Sequence, residues 1–445
     1  MNSRQGTNTP AATRALARIR QAATSLGGLT VGFVAVHLWA VLRAERWSGA
    51  IFGDVDLYEW WVRHGLAGGG WPVLDYPWVY PVGALAPMTL PGLFTSTTRS
   101  YQIAWMGMVA ALNAVALWML ARQKRRGAGA CWWWLGFLAL LGPIWIGRLD
   151  GIIAPLMLIA LIHGVRQPGK TVWLAVTLAT LGAWIKIAPG AIVIAIAVCS
   201  RRLRDALARV VLPGILVSAI VVNLALAGGA GSRAWGVFGQ QGVRGLQVES
   251  VAATWFSLAR LWNPSVAFGY NRMIFTFEVQ GDQAQTVAGA LDSLLLAAIA
   301  TIALLTWVAA RRQLKFSLPD GDSRAAEGAG GTVDVLLVGT ITLTAALIVF
   351  NKVGSPQFQA WFGPCVAAAI AFATPETRRW WRLPGVLVLV IALLTGAIFP
   401  EDYGPFLDGT LRMIVIAAAR NLAVVALMAW GVWRLVCLCR VRERP

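Results

Sequence analysis

The chain has 445 residues, of which 58% are hydrophobic and only 13% are charged, and 23 are tryptophans. Soluble proteins have about 25% charged residues, so the composition excludes a soluble enzyme and a disordered chain. The formal net charge of +18 comes from 38 Lys and Arg against 20 Asp and Glu. Such an excess is typical of nucleic-acid binding or of the cytoplasmic loops of a membrane protein. The five cysteines lie in or beside apolar runs without metal-ligand spacing, which excludes a disulfide scaffold and a zinc site.

Apolar runs along the chain predict twelve membrane-spanning helices, because backbone polar groups find no partner in lipid unless the segment is helical. Several runs are shorter than the roughly 20 residues that cross a bilayer, so we expect broken helices or local thinning of the bilayer. The predicted spans are Leu26–Leu42, Gln102–Leu120, Cys131–Ile146, Ile152–Val165, Val172–Ile185, Ala188–Cys199, Val210–Ala227, Thr286–Ala309, Val333–Phe350, Trp361–Ala373, Pro384–Phe399 and Leu422–Leu438.

The basic residues predict the orientation of these spans. With the N-terminus inside, 25 of the 38 basic residues but only seven of the 20 acidic ones fall on inner segments. The whole net charge then belongs to the cytoplasmic face, where it contacts anionic lipid, and no nucleic-acid partner is expected. The stretch Val82–Phe94 contains two prolines and is predicted to be re-entrant or interfacial. Residues 1–25 and 439–445 are predicted to be cytoplasmic tails of one transmembrane domain, residues 26–438.

The first predicted outer segment, Arg43–Tyr101, has two carboxylates just beyond the first span, Asp54 and Asp56. At the bilayer surface, such a carboxylate can deprotonate a hydroxyl that is brought to it. The alternative is structural, since either aspartate could be the N-cap of an interfacial helix. The tryptophans of this segment favour interfacial helices.

The next two outer turns also contain charged residues. Arg148 and Asp150 follow the third span, where they could form an ion pair with each other or Arg148 could hold a phosphate. Lys186 lies between the fifth and sixth spans. A lysine inside a long apolar run is costly and indicates function, and the alternative is a side chain that snorkels from a helix end.

Two later outer segments place several hydrogen-bonding side chains close together. The segment Gly228–Gln285 contains Arg244, Gln247, Glu249 and Ser250, and the exit of the ninth span contains Lys352, Ser355 and Gln357. Cations suit a phosphate, whereas amides and carboxylates suit hydroxyls. Because all these clusters fall on the outer face and no nucleotide-binding motif is present, the pattern favours group transfer from a lipid-linked donor outside the cell.

These residues resemble the actinobacterial integral-membrane glycosyltransferases of family 87, which have the GT-C fold and use polyprenyl-phosphate sugars. Members include polyprenyl-phosphate-mannose-dependent α-1,2-mannosyltransferases of phosphatidylinositol mannoside and lipomannan synthesis, and an arabinofuranosyltransferase. The resemblance covers residues 50–365. The order of the similar stretches and their shared placement on the predicted outer face are more specific than any single motif. The similar stretches are Asp54–Tyr58, Tyr80–Pro81, Lys186–Pro189, Arg244–Ser250 and Lys352–Gln357.

The resemblance implies an all-α fold with interfacial helices in the first outer loop, and an inverting transfer on the extracytoplasmic face of the plasma membrane. Asp54 matches the family's catalytic position, and Asp56 is a second candidate base. The donor phosphate is then held by Lys186, Arg148, Arg244 and Lys352. Sugar and acceptor contacts are expected from Tyr58, Tyr80, Asp150, Gln247, Glu249, Ser250, Ser355 and Gln357.

The expected partners are a polyprenyl-phosphate sugar, with mannose favoured, a glycolipid acceptor and membrane lipid, and neither a metal nor a cofactor is expected. One alternative is an arabinofuranosyltransferase. Another is a flippase for polyprenyl-linked sugars, although such transporters usually have internal repeats and matching polar sites on the inner face, which the sequence lacks. A third is an assembly subunit without activity.

Overall fold

The structure is a computed structural model that describes residues 21–22, 24–123, 126–166, 171–236, 239, 242, 244–263, 265–272, 274–315 and 322–440. It is 78% helical, as expected for a polytopic membrane protein. The predicted tails, residues 1–25 and 439–445, lie almost entirely outside the described residues.

Eighteen α-helices are described, and four of them have seven residues or fewer. They are α1 (Leu26–Arg46), α2 (Ser48–Leu66), α3 (Leu85–Gly92), α4 (Thr98–Ala121), α5 (Gly127–Leu141), α6 (Asp150–Arg166), α7 (Val172–Ile185), α8 (Gly190–Cys199), α9 (Leu203–Ala206), α10 (Leu212–Ala227), α11 (Ala253–Ala259), α12 (Asp282–Lys315), α13 (Asp322–Val349), α14 (Gly363–Phe372), α15 (Pro375–Arg378), α16 (Arg382–Ile398), α17 (Tyr403–Leu407) and α18 (Leu411–Cys439).

Each of the twelve predicted apolar runs falls on one of these helices, α1, α4 to α8, α10, α12 to α14, α16 and α18. Among the described residues, seven helical stretches are long and apolar enough to cross a membrane, which is consistent with an all-α polytopic membrane protein. These stretches are Leu26–Arg46, Thr98–Ala121, Leu203–Ala227, Asp282–Gln313, Gly331–Val349, Pro375–Ile398 and Leu411–Cys439. The stretch 82–94 contains only α3 and one short 3-10 turn, and eight residues at 1.5 Å each extend about 12 Å, well short of a bilayer.

Burial separates central from peripheral helices. In α13, 89% of the apolar window Gly331–Val349 is buried inside the protein, whereas in Leu203–Ala227 the share is 17%. The outward face of the latter helix is covered with large aliphatic side chains such as Ile215, Ile220 and Leu224. Helices that are apolar all round and little buried in protein suit a lipid environment, so this helix lies at the periphery and α13 at the centre.

The loops predicted to be inside meet one another at one end of the bundle. The Arg126 guanidinium donates to the carbonyl of Ala373 at 3.2 Å, and the Gln313 amide donates to the carbonyl of Leu438 at 3.2 Å. The loops predicted to be outside meet at the other end, as their side-chain contacts show below. Each of these contacts therefore joins two segments that were predicted to lie on the same side of the membrane.

The largest departure from an all-helical fold lies in the outer segment 228–281. It forms an antiparallel hairpin of β1 (Phe268–Asn271) and β2 (Thr276–Val279), with Phe268 opposite Val279. Gln247 adds a bridge to Glu278 on the other edge of β2. The hairpin was not predicted, because two four-residue strands are too short to leave a distinct alternation in the sequence. It supports the stretch that contains Gln247 and Glu249.

Candidate active site

Asp54 lies in the second turn of α2, which begins at Ser48 with Trp47 as its N-cap. Neither Asp54 nor Asp56 caps this helix, so the N-cap alternative is wrong. The Asp54 side chain is 34% exposed, and it is therefore reachable from outside. A carboxylate that is fixed on a helix and still reachable can act on a bound ligand.

Arg148 orients Asp54 from the turn before α6. Its Nε lies 3.0 Å from Asp54 Oδ2, and its Nη1 and Nη2 donate to the carbonyls of Ile51, Gly147 and Ala50 at 2.5 to 2.9 Å. Protein groups therefore engage four of the five N–H donors of the guanidinium, and three of these contacts reach the first two turns of α2. Its position suits holding Asp54 in place better than binding a phosphate directly.

The predicted alternative of an ion pair between Arg148 and Asp150 does not form, since each pairs with another residue. The fully buried Asp150 accepts from Lys186 Nζ at 2.5 Å and from Trp361 Nε1 at 2.6 Å. Lys186 Nζ also lies 4.8 Å from the ring centre of Phe358, a cation–π distance. Lys186 ends α7 with a side chain only 12% exposed, so it does not snorkel into solvent. Three segments that were predicted to lie outside thus meet at Asp150.

Tyr58 and Tyr80 close the site beside Asp54. The Tyr58 hydroxyl donates to Asp54 Oδ2 over a long 3.4 Å, and the two phenol rings stand edge to face at 6.3 Å. Burial raises the pKa of both phenols well above the usual range. Both hydroxyls therefore stay protonated at any physiological pH and can only donate or accept hydrogen bonds. We name Asp54, Tyr58, Tyr80, Arg148, Asp150 and Lys186 the Asp54 cluster.

Arg244 borders the Asp54 cluster from the stretch before the β-hairpin. Burial lowers the pKa of its guanidinium, while the nearby Tyr80 and Glu278 oppose that shift. Its Nε is buried without a hydrogen-bond partner, and within the described part of the chain it forms no salt bridge with a carboxylate. Arg148, Lys186 and Lys352 all have carboxylate partners. Arg244 is thus the predicted cation with the most capacity left for an anionic ligand.

Asp56 lies away from this cluster. Its Oδ1 accepts from the Gln102 amide of α4 at 2.6 Å. Two residues along a helix are about 200° apart, so Asp54 and Asp56 point to opposite sides of α2. Only Asp54 is brought together with Arg148.

Glu249 and Ser250 belong to a second, closed cluster. Glu249 Oε2 lies 2.9 Å from Nη1 of Arg420 on α18, and Nη2 of the same arginine donates to the Glu249 carbonyl at 3.0 Å. Asn421 donates to the Ser250 carbonyl, and the Ser250 hydroxyl accepts from the backbone of Ala253 at the start of α11. Burial raises the pKa of Glu249, although Arg420 opposes the shift. Both carboxylate and hydroxyl are engaged within the protein.

Gln247 joins this cluster to the loop after α13. Its backbone N–H donates to the Lys352 carbonyl at 2.9 Å, and its side-chain oxygen accepts from Gly354 at 3.1 Å. A Cβ on Gly354 would lie 2.1 Å from the backbone nitrogen of Ser250, so only glycine permits this approach. Gln247, Glu249, Ser250, Lys352, Arg420 and Asn421 form what we name the Glu249 cluster.

The remaining predicted residues, Lys352, Ser355 and Gln357, lie on either side of Gly354. Lys352 Nζ binds Asp292 Oδ2 at 2.7 Å and the Gly242 carbonyl at 3.1 Å. The Ser355 hydroxyl donates to the side-chain oxygen of Gln357 at 2.8 Å. Phe358, which contacts Lys186, comes next along the chain. This loop therefore connects the Glu249 cluster with the Asp54 cluster.

Sequence reasoning missed three residues that complete the clusters, Arg420, Asn421 and Trp361. The twelfth span was predicted to begin at Leu422, but α18 begins at Leu411 and carries Arg420 inside it, 1% exposed. An arginine within an apolar helix is the signal that could have found it. Trp361 was predicted only as the first residue of a span, and nothing local marks its bond to Asp150.

No protein-family model matches the chain, and neither a curated protein nor a solved structure matches it.

Proposed function

We propose that the chain is an integral-membrane glycosyltransferase that moves a sugar from a polyprenyl-phosphate donor to a glycolipid acceptor on the extracytoplasmic face of the plasma membrane. The observation that carries this proposal is Asp54, a reachable carboxylate held by Arg148 within a cluster assembled from separate outer loops. General bases in enzymes are fixed in this way by neighbouring hydrogen bonds. The resemblance of the same stretches to family 87 supports a GT-C fold with twelve spans.

In the proposed reaction, Asp54 takes the proton of an acceptor hydroxyl. The hydroxyl oxygen forms a bond to the anomeric carbon of the donor while the bond from that carbon to the phosphate oxygen breaks. The anomeric configuration is inverted, and polyprenyl phosphate leaves with the bonding electron pair. Mannose is the favoured sugar on the resemblance, and arabinofuranose is the alternative.

Arg244 and Lys186 are the cations proposed to receive the phosphate. Arg244 is partly buried and lacks a carboxylate partner among the described residues, so it is the main contact proposed for the phosphate, whereas Lys186 is already paired with Asp150 and contributes less. Cations fixed in a site of low dielectric stabilise the negative charge that develops on a leaving phosphate. Arg148 is a positioning residue for Asp54 in this scheme.

The test compares Asp54→Asn with Asp56→Asn in purified protein, using radiolabelled polyprenyl-phosphate mannose and arabinose donors and a membrane glycolipid extract as acceptor. We expect Asp54→Asn to lower kcat by about 10²- to 10⁴-fold with little change in donor binding, as for loss of a general base. Asp56→Asn is the matched control on the same helix and should keep most activity. If the activity of Asp54→Asn stays within a few-fold of wild type, Asp54 is not the general base. If the wild-type protein translocates the donor without transferring the sugar, a flippase is favoured. If it does neither, an assembly subunit without activity is favoured.

A further inference from the structure

A cavity lies between α2 and the start of α4, on the side of α2 away from Asp54. It has a volume of about 670 Å³, within the range of about 300 to 1,000 Å³ that is usual for ligand pockets. None of its residues belongs to the Asp54 cluster or the Glu249 cluster. We name it the Trp60 cleft, and its lining residues are Glu59, Trp60, Arg63, His64, Ser96, Thr97 and Thr98.

One wall of the Trp60 cleft is a flat aromatic surface. The Trp60 indole is 55% exposed, and the His64 imidazole stacks on it with ring centres 5.1 Å apart and an angle of 8° between the planes. A Cβ on Gly69 would lie 2.2 Å from His64 Cε1, so the backbone of Gly69 rests on the imidazole. The stack is therefore supported from behind while the tryptophan remains reachable.

The rest of the lining is polar but without excess charge. Arg63 Nε binds Oε1 of Glu59, and the glutamate is 5% exposed. Arg63 Nη2 is buried and has no hydrogen-bond partner among the described residues. Ser96 and Thr98 add exposed hydroxyl groups. The cleft thus offers hydroxyls beside a guanidinium that is 38% exposed and whose charge a carboxylate already balances.

We propose that the Trp60 cleft binds a neutral sugar ring. A pyranose has a face of C–H groups that matches an exposed indole, and a rim of hydroxyls that matches a charged pair and protein hydroxyls. A phosphate or other anion would find no uncompensated cation, because Glu59 neutralises Arg63. An acyl chain would leave the Arg63 donor and the hydroxyls unpaired.

The geometry also assigns this sugar to the acceptor, a step that rests on the proposed function. Trp60 follows Asp54 by six residues on α2, which places it about 9 Å further along the helix axis. Since the cleft also lies on the other side of α2, a sugar in it is too far from Asp54 to react, and an acceptor that contacts both sites must extend around the helix. A sugar of the acceptor's own head group then occupies the Trp60 cleft while another part of that acceptor reacts at Asp54.

Binding of free saccharides tests the cleft without requiring any transfer. Saturation-transfer NMR on the purified full chain would use methyl α-mannoside, methyl β-glucoside and methyl β-galactoside as probes. We expect saturable binding of at least one glycoside, weakened about tenfold or more by Trp60→Ala and by Arg63→Gln. Trp255→Ala is the matched control, because that tryptophan is 68% exposed and lines another outer cavity of about 490 Å³. Asp54→Asn should bind the glycoside like wild type.

Any of three results would overturn the proposal that the Trp60 cleft binds a sugar. These are no saturable binding of any glycoside, glycoside binding by Trp60→Ala as strong as by wild type, or binding of inorganic phosphate instead of glycosides. Gly69→Ala guards against misfolding of the tryptophan variant, because it displaces His64 while keeping Trp60 and should weaken binding several-fold.

The acceptor step is tested separately with two glycolipids that differ by one sugar in the head group. Trp60→Ala should raise KM about tenfold for the larger acceptor and leave kcat and the KM of the smaller one unchanged. If KM changes equally for both acceptors, the cleft does not bind a sugar of the acceptor. The proposal that the cleft binds free saccharides is not affected by that result. Because free glycosides are measured without turnover, failure of the proposed function and failure of the cleft give different results.

Discussion

The Asp54 cluster and the Glu249 cluster are built from the same residue types and differ in how far they are closed. Each has a carboxylate paired with an arginine, Asp54 with Arg148 and Glu249 with Arg420. The Asp54 side chain is 34% exposed, whereas those of Glu249 and Arg420 are 3% and 1% exposed. A carboxylate that a ligand can reach is available for chemistry. A carboxylate that is buried against an arginine instead stabilises the fold, here by joining the segment of Glu249 to α18. The two clusters should therefore respond differently to substitution, in activity at one and in stability at the other.

The largest effect is expected when Arg420 is replaced by Met. The substitution leaves the carboxylate of Glu249 buried without its partner, which costs about 3 to 5 kcal/mol in comparable sites. The measurement is the thermal unfolding of purified protein in detergent, with Arg412→Met, at an exposed position, as the control.

The double variant Arg420→Met with Glu249→Gln separates charge from packing. Removal of both charges should recover most of the lost stability, because no unpaired ion remains. A single Arg420→Met variant as stable as wild type would show that the Glu249 cluster does not hold the outer segment to α18.

This difference between the clusters also shows how far sequence reasoning reaches. Apolar length and composition are local properties, so the twelve predicted runs all fall on helices. The prediction that Asp54, Lys186 and Glu249 lie on the outer face follows from counting those runs. Which cation pairs with which carboxylate depends on contacts across long sequence separations, such as 171 residues between Glu249 and Arg420. Because no residue near Glu249 in the sequence points to Arg420, Glu249 was predicted to bind a sugar rather than to pair with an arginine.

A smaller but still large effect is expected for Arg148→Lys, this time on the rate. Lysine keeps the positive charge but cannot bind Asp54 and three backbone carbonyls at once, as the guanidinium does. Displacement of a reacting group by about 1 Å can cost about 10²-fold in rate, so we expect kcat to fall by about that factor.

The readout for Arg148→Lys is kcat for transfer, measured beside the unfolding temperature. Arg412→Lys is the control, since that arginine is 78% exposed and contacts Asp402 only at 3.8 Å. A normal kcat together with a large loss of stability would mean that Arg148 stabilises the fold and does not position Asp54 for the reaction.

For Arg244→Gln we expect a change in donor affinity. A hydrogen bond to a charged group contributes about 1.5 to 3 kcal/mol, so the KM for the polyprenyl-phosphate sugar should rise about tenfold or more. Because burial lowers the pKa of Arg244, its charge does not favour the folded state, and the unfolding temperature should stay the same or rise slightly. An unchanged KM would remove Arg244 from the donor site.

The smallest effect is expected for Asp292→Asn, which tests whether Lys352 belongs to the Glu249 cluster or to the Asp54 cluster. The Lys352 side chain is 4% exposed, but Asp292 is 54% exposed, so water can replace part of the lost carboxylate and the Gly242 carbonyl remains as an acceptor. Pairs with one exposed partner contribute less than about 1 kcal/mol. The free energy of unfolding should fall by no more than that, and the donor KM should stay within twofold. A marked fall in donor KM would instead mean that Asp292 neutralises a lysine that otherwise binds phosphate, and Lys352 would then join the Asp54 cluster.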